Sequence, residues 1–282
     1  MKAKKSLGQN FLVDDFITQR IVDSVFPRST DIIFEIGPGT GALTRLLVKQ
    51  SGLVCAIELD SRLVEKLRRE IQTDNLFLVE ADAMQLDWNG LLDSSSKRWR
   101  ELHPEIKDAP RLRIVANLPY YISTPIIEHL LKLRERLLDM TLMLQEEVVD
   151  RIASPPGSKD YGYLSVLVQY DCAASKLFNV PPHAFSPIPK VNSAIVKLAF
   201  HKPRPVQIEG EERFFALIRA AFAQRRKTIL NNLKAARSIL HFDHLPEFAL
   251  QKCGIDAQRR AETFSLNDFA SLYHSLFNVE SV

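Results

Sequence analysis

The chain has three cysteines in 282 residues, Cys55, Cys172 and Cys253, and none forms a C-x-x-C pair. An odd, scattered set argues against a disulfide framework and against a thiolate metal site, and it suits a reducing, cytoplasmic setting. No run of eighteen apolar residues is present, so no membrane-spanning helix is expected. The start, Met1-Lys2-Ala3-Lys4-Lys5, is basic but leads into no apolar stretch, which argues against a secretory signal. Charge of one sign is also scarce: the formal net charge is +3. That balance neither requires nucleic acid nor excludes it.

What is present is the 46% hydrophobic, 25% charged composition of a globular protein. Its first two thirds alternate strand and helix patterns. Strands are expected over 31–36, 53–58, 75–80, 112–116 and 141–144, with helical spacing at Leu43, Leu46 and Leu47 and at Leu63, Leu67 and Ile71. This predicts an α/β fold, a Rossmann-like, mostly parallel sheet with helices on both faces. Further strands over 175–180 and 194–200, joined by a proline-rich loop, suit an antiparallel edge. Residues 88–111, with Ser94-Ser95-Ser96 and two prolines, read as a surface excursion. His201-Lys202-Pro203-Arg204-Pro205 reads as a linker, and helical patterns follow it. The last of these begins at a capping box of Ser265 and Asp268. Two domains are therefore expected: 1–202, and a small all-helical domain over 203–282.

The first strand runs into Glu35-Ile36-Gly37-Pro38-Gly39-Thr40-Gly41-Ala42. Glycines at the carboxyl end of a strand allow a sharp turn and a close approach to a nucleotide-like cofactor. Glu58 ends the second strand, where an acid binds ribose hydroxyls. Gly37, Gly39 and Ala42 equally satisfy the dinucleotide fingerprint, so a dehydrogenase stays open on this loop alone. Glu35 and Asp82 favour S-adenosylmethionine. Glu35 can meet a cationic amino-acid end, and Asp82 can accept from an adenine amino group, although an acid at a strand end also serves as a helix cap.

The most specific stretch is Asn117-Leu118-Pro119-Tyr120, which resembles the signature of amino-methyltransferases. Adenine N6 is a poor nucleophile because its lone pair is delocalised into the ring. The Asn117 side-chain oxygen and a carbonyl near Leu118 can accept its two hydrogens and turn the lone pair toward a methyl donor. Pro119 fixes the turn and brings no competing N–H. Tyr120 offers a face on which a base stacks. The methyl arrives already activated, so the protein supplies position and electrostatics, and no metal is called for.

The motif Lys5-Ser6-Leu7-Gly8-Gln9-Asn10-Phe11-Leu12, the glycine loop, Asn117-Leu118-Pro119-Tyr120 and Phe185-Ser186-Pro187-Ile188-Pro189-Lys190-Val191 resemble those of ribosomal RNA adenine dimethyltransferases. The likeness runs over nearly the whole chain and is nearest to the small-subunit branch, which dimethylates two adjacent adenosines near the 3′ end of the RNA. It implies that Asn10, Leu12, Gly37, Glu58, Asp82 and Asn117 contact S-adenosylmethionine, and that Tyr120 and Phe185 flank the target base. Combined with the loop reading, the cofactor set is Gln9, Asn10, Leu12, Glu35, Gly37, Gly39, Glu58, Asp82, Ala83 and Asn117. Lys2, Lys4, Lys5, Lys190 and the basic helical segment Arg225-Arg226-Lys227 are candidates for phosphate contacts with an immature small ribosomal particle. The enzyme is expected to be a cytoplasmic monomer.

Two residues depart from the family pattern. Tyr121 stands where asparagine is common, and Glu146 where lysine is common. Three other methyl-transfer or binding readings compete. A large-subunit enzyme of the antibiotic-resistance type usually has Ile at the position of Leu118. A DNA adenine methyltransferase typically has Pro there. A non-catalytic assembly factor has no need of Glu58 and Asn117.

Overall fold

The computed structural model describes residues 9–277, apart from the Tyr121 side chain. The elements run β1 (Phe11–Leu12), α1 (Asp15–Val25), β2 (Asp31–Ile36), α2 (Thr44–Gln50), β3 (Leu53–Glu58), α3 (Ser61–Glu70), β4 (Leu76–Glu80), α4 (Trp88–Leu102), β5 (Arg111–Asn117), α5 (Ser123–Leu131), β6 (Leu137–Gln145), α6 (Glu146–Ala153), α7 (Tyr163–Asp171), β7 (Cys172–Val180), β8 (Phe185–Ser186) and β9 (Ser193–Phe200). Helices α8 (Glu211–Ala221), α9 (Ile229–Leu240), α10 (Pro246–Lys252) and α11 (Leu266–Phe277) follow.

Among the described residues the main sheet has the order β4-β3-β2-β5-β6-β9-β7. β2 pairs in parallel with both β3 and β5, β3 with β4, and β5 with β6, while β9 runs antiparallel to β6. Every residue of β2 and β3 is buried, including the acids Asp31, Glu35 and Glu58, as in strands covered on both faces. Strand order reverses between β2 and β5, and such a switch point opens a crevice at the carboxyl ends. Register aligns those ends, with Ile36 opposite both Ile57 and Ala116, and Glu58 opposite Glu80. Gly37, Glu58 and Asn117 thus emerge side by side.

The amino ends of the same strands carry a buried ion cluster. Arg113 on β5, 5% exposed, donates to Asp31 Oδ2 at 3.1 Å and to Asp139 Oδ2 at 2.6 Å. Arg111 lies 2.6 Å from Asp31, and Lys197 lies 3.5 Å from Asp139.

Residues 88–102 are not a surface excursion. They form α4, capped by Asp87, whose side chain accepts the Gly90 N–H at 3.1 Å. Trp88, Leu91, Leu92, Ser95 and Trp99 make its buried face, a helical repeat hidden in the sequence by serines and charges. Ser94 and Ser96 donate their hydroxyls to the carbonyls of Leu91 and Leu92, so these polar groups are satisfied within the helix.

The chain divides into two compact units, and not by a single cut at 202. One comprises 1–149 with 173–200, the other 150–172 with 201–282. In the second unit, Val166 and Tyr170 of α7 join the core of Phe214, Leu217, Ile218, Leu233, Phe264, Phe269 and Tyr273. Arg204, expected in a linker, is anchored there: it donates to Asp171 at 2.7 Å, to Glu211 and to the Tyr170 hydroxyl, and lies 4.3 Å over the Tyr170 ring. The Ser265–Asp268 capping box is present, with reciprocal bonds of 3.0 and 3.1 Å.

Candidate active site

One cavity of about 1080 Å³, counting its open mouth, lies at the carboxyl ends of the central strands. All the expected cofactor residues line it: Gln9, Asn10, Leu12, Glu35, Gly37, Gly39, Glu58, Asp82, Ala83 and Asn117. So do Leu118, Pro119, Tyr120 and Phe185. The chain brings them together because β2, β3 and β5 end in register and because β1 pairs with β8, setting Leu12 opposite Phe185. Phe11, Ile57, Leu59 and Ile122 line it too and were not foreseen. For Leu59 a signal existed: an apolar side chain, 51% exposed, directly after the strand-ending acid.

The glycine loop needs its glycines. Gly39 has a φ of 59°, and a Cβ there would sit 3.0 Å from the Phe11 ring. Its N–H donates to Glu58 Oε2 at 3.1 Å, and the Asp60 N–H donates to Glu58 Oε1 at 2.9 Å. A carboxylate has roughly four acceptor positions, so Glu58 keeps acceptor capacity toward the cavity. Asp82 is both a local cap and a cavity residue. Its Oδ1 accepts the Met84 N–H at 2.9 Å, and its Oδ2 accepts from Gln85 at 3.3 Å.

Glu35 is 2% exposed, and its Oε2 has no hydrogen-bond partner. Burial pushes its carboxyl up to about 7; Thr44 beside it pulls the other way, and Glu58 adds like-charge repulsion. A buried, unsatisfied carboxylate oxygen in a cavity fits a cationic group. With the glycine turn and the spare acceptors of Glu58, the donor set fits the amino acid and ribose of S-adenosylmethionine. Among the described residues no cluster could hold a metal ion.

Asn117 Nδ2 donates to the Asn10 carbonyl at 3.2 Å. That bond fixes the amide flip, leaving Oδ1 as the acceptor. The Leu118 N–H is engaged by the Met143 carbonyl at 3.2 Å. Phe185 is 2% exposed and Tyr120 half-buried.

The basic candidates behave differently. Lys190, Arg226 and Lys227 are exposed. Residues 225–227 form the turn between α8 and α9, not a helix. Arg225 is tied to Glu262 at 2.9 Å and to the Lys159 carbonyl. Lys2, Lys4 and Lys5 lie outside the described residues, as does the first half of the N-terminal motif. Glu146 accepts from Lys176 Nζ and Asn192 Nδ2, both at 3.0 Å, and from Asn179, and Lys176 foremost holds its carboxyl below the usual range. The reversed charge at this position is thus locally matched.

The model of the family described as ribosomal RNA adenine dimethylase matches residues 1–277. The chain belongs to that family. A ribosomal RNA small subunit methyltransferase A from Geobacillus thermodenitrificans is 42% identical, over 97% of this chain and 90% of that relative. A protein of the same name from Xylella fastidiosa is 42% identical, over 96% and 94%. A dimethyladenosine transferase from Plasmodium falciparum superposes with a TM-score of 0.74 at 25% identity, covering 93% of this chain and 95% of that one. The 23S rRNA methyltransferase ErmE shares the fold, with a TM-score of 0.68 at 23% identity over 95% and 99%. As a member of the dimethylase family the protein is an S-adenosylmethionine-dependent methyltransferase, which removes the dehydrogenase alternative left by the glycine loop.

Proposed function

We propose that the protein methylates N6 of two adjacent adenosines near the 3′ end of small-subunit ribosomal RNA, within an immature particle, acting as a cytoplasmic monomer. The observation that carries this is the oriented Asn117 amide, with its nitrogen spent on Asn10 and its oxygen left to accept. The curated relatives named above support the small subunit as substrate. Among the described residues no helix is long and apolar enough to cross a membrane.

S-adenosylmethionine supplies a methyl group activated on a sulfonium. The chain's residues do the rest. Asn117 Oδ1 and the Leu118 carbonyl accept the two N6 hydrogens and draw the nitrogen toward tetrahedral geometry, so its lone pair leaves the ring system. Pro119 keeps a competing donor away. Tyr120 and Phe185 flank the extruded base. With the cofactor bound, N6 would keep its proton until methylation had made that nitrogen acidic, and would then release it to water. Lys190, Arg226 and Lys227 hold phosphates by charge alone. Arg225 serves first to brace the α8–α9 turn against Glu262.

The test offers purified small and large ribosomal subunits, both unmethylated, as competitors for labelled methyl. Label is expected in the small subunit, as N6,N6-dimethyladenosine. Preferential labelling of the large subunit would overturn the assignment.

Glu35 makes cofactor binding depend on pH. An ordinary glutamate titrates near 4.5, and this one near 7. The folded chain therefore holds a proton that the unfolded chain has released, and stability falls as pH rises from about 4.5 to 7, then levels off. The cofactor's ammonium group favours the carboxylate, so binding below about pH 7 must expel the proton. Affinity is expected to be about tenfold weaker at pH 6 than at pH 7.5, and Glu35→Gln should flatten the profile. Calorimetry in buffers of different ionisation heat reads both affinity and proton release; a flat wild-type profile would contradict the pairing.

A further inference from the structure

Stacking explains the ring of Tyr120 but not its hydroxyl, since a phenylalanine presents the same face. That hydroxyl shares a hydrogen bond of 2.8 Å with Ser193 Oγ. Ser193 opens β9, is 1% exposed, and lies opposite Gln145 of β6. Its neighbour Asn192 is held twice by Glu146: the Asn192 carbonyl accepts the Glu146 N–H at 3.0 Å, and Asn192 Nδ2 donates to Glu146 Oε2 at 3.0 Å. Glu146 in turn accepts from Lys176 and Asn179 of β7. Three strands are thereby tied at one end, and Ser193 sits on that rigid edge. Tyr120, by contrast, begins a short 3-10 turn between β5 and α5, where the backbone alone does not set the plane of the ring.

We propose that Ser193 is a positioning residue for methyl transfer. It tethers the Tyr120 hydroxyl to the β6–β9 edge and so fixes the ring on which the target adenine lies. This rests on the reading of Tyr120 as the stacking platform. A ring free to tilt leaves the base bound but its N6 misaligned, and orientation errors of this kind act on the rate of the chemical step.

The test measures kcat, KM for the RNA substrate, S-adenosylmethionine affinity and melting temperature for Ser193→Ala, Tyr120→Phe, their double variant and Tyr120→Ala. A single neutral hydrogen bond corresponds to about a five- to tenfold effect. Ser193→Ala and Tyr120→Phe are each expected to lower kcat by about that factor, with cofactor affinity unchanged. The double variant should fall no further than the worse single one, because both remove the same bond. Tyr120→Ala should fall further.

Wild-type kcat in both single variants, beside an impaired Tyr120→Ala, would overturn the tether and leave stacking intact. Multiplying losses in the double variant would also overturn it, as would a loss of cofactor affinity in the single variants, which marks a general structural role. An unimpaired Tyr120→Ala would instead overturn the stacking reading. Should Ser193→Ala fail to fold, Tyr120→Phe removes the same bond without touching β9 and decides alone.

Discussion

Asn117→Ala is expected to lower the single-turnover rate of methyl transfer about a hundred- to thousandfold, the loss typical when one preorganised hydrogen-bonding group is removed from a reacting centre. The amide is pinned by its own nitrogen to the Asn10 carbonyl, so its oxygen needs no reorganisation when the amine arrives. In the mechanism proposed above, alanine removes the acceptor that draws N6 out of conjugation. The lost bond to Asn10 should cost about 1 kcal/mol, too little to unfold the unit, and cofactor binding should weaken only modestly. Asn117→Asp keeps an acceptor but turns a carboxylate toward the Asn10 carbonyl, so it should fall between the two. Quench-flow with labelled cofactor reads the rate, and calorimetry the affinity. An alanine variant at the wild-type rate would remove Asn117 from the chemistry.

The second large effect concerns stability. Arg113→Met should destabilise the protein by about 3–5 kcal/mol, because it takes from two buried carboxylates the guanidinium that they share. Asp31 and Asp139 both touch Arg113, and both are buried. The Arg111 and Lys197 contacts remain, but each bridges only one of the two acids. A shift of that size lowers the melting temperature by about 10 °C or more. Adding Asp139→Asn should recover part of the loss by removing one of the two buried charges. Since the cluster lies at the amino ends of the strands, transfer by the folded variant at low temperature should be close to wild type. Thermal unfolding followed by circular dichroism tests this; a drop of only a degree or two would mean that the remaining contacts satisfy both acids.

These two sites differ in how legible they are from the sequence. The Asn117 loop announces itself because strand, turn and side-chain chemistry lie within four consecutive residues. The ion cluster does not. Asp31, Arg113 and Asp139 are far apart in the chain, and only register between β2, β5 and β6 makes them neighbours. The same contrast holds at the basic turn between α8 and α9. A run of three basic residues is visible as charge, but Glu262, which engages Arg225, stands 37 residues away.

The α/β alternation, the glycine turn, the strand-end acids and the Asn-x-Pro-Tyr loop are all written in local sequence, because each is a matter of periodicity, backbone freedom and residue type. Tertiary structure decided the rest: the grouping of α7 with the C-terminal helices, the slot of β9 between β6 and β7, the burial that lifts Glu35 toward neutrality, and the serine that holds the Tyr120 hydroxyl. Those depend on which surfaces meet. A residue's own neighbours in the chain carry little record of the partner it finds after burial, since pairing across the sheet is selected by the fit of whole faces.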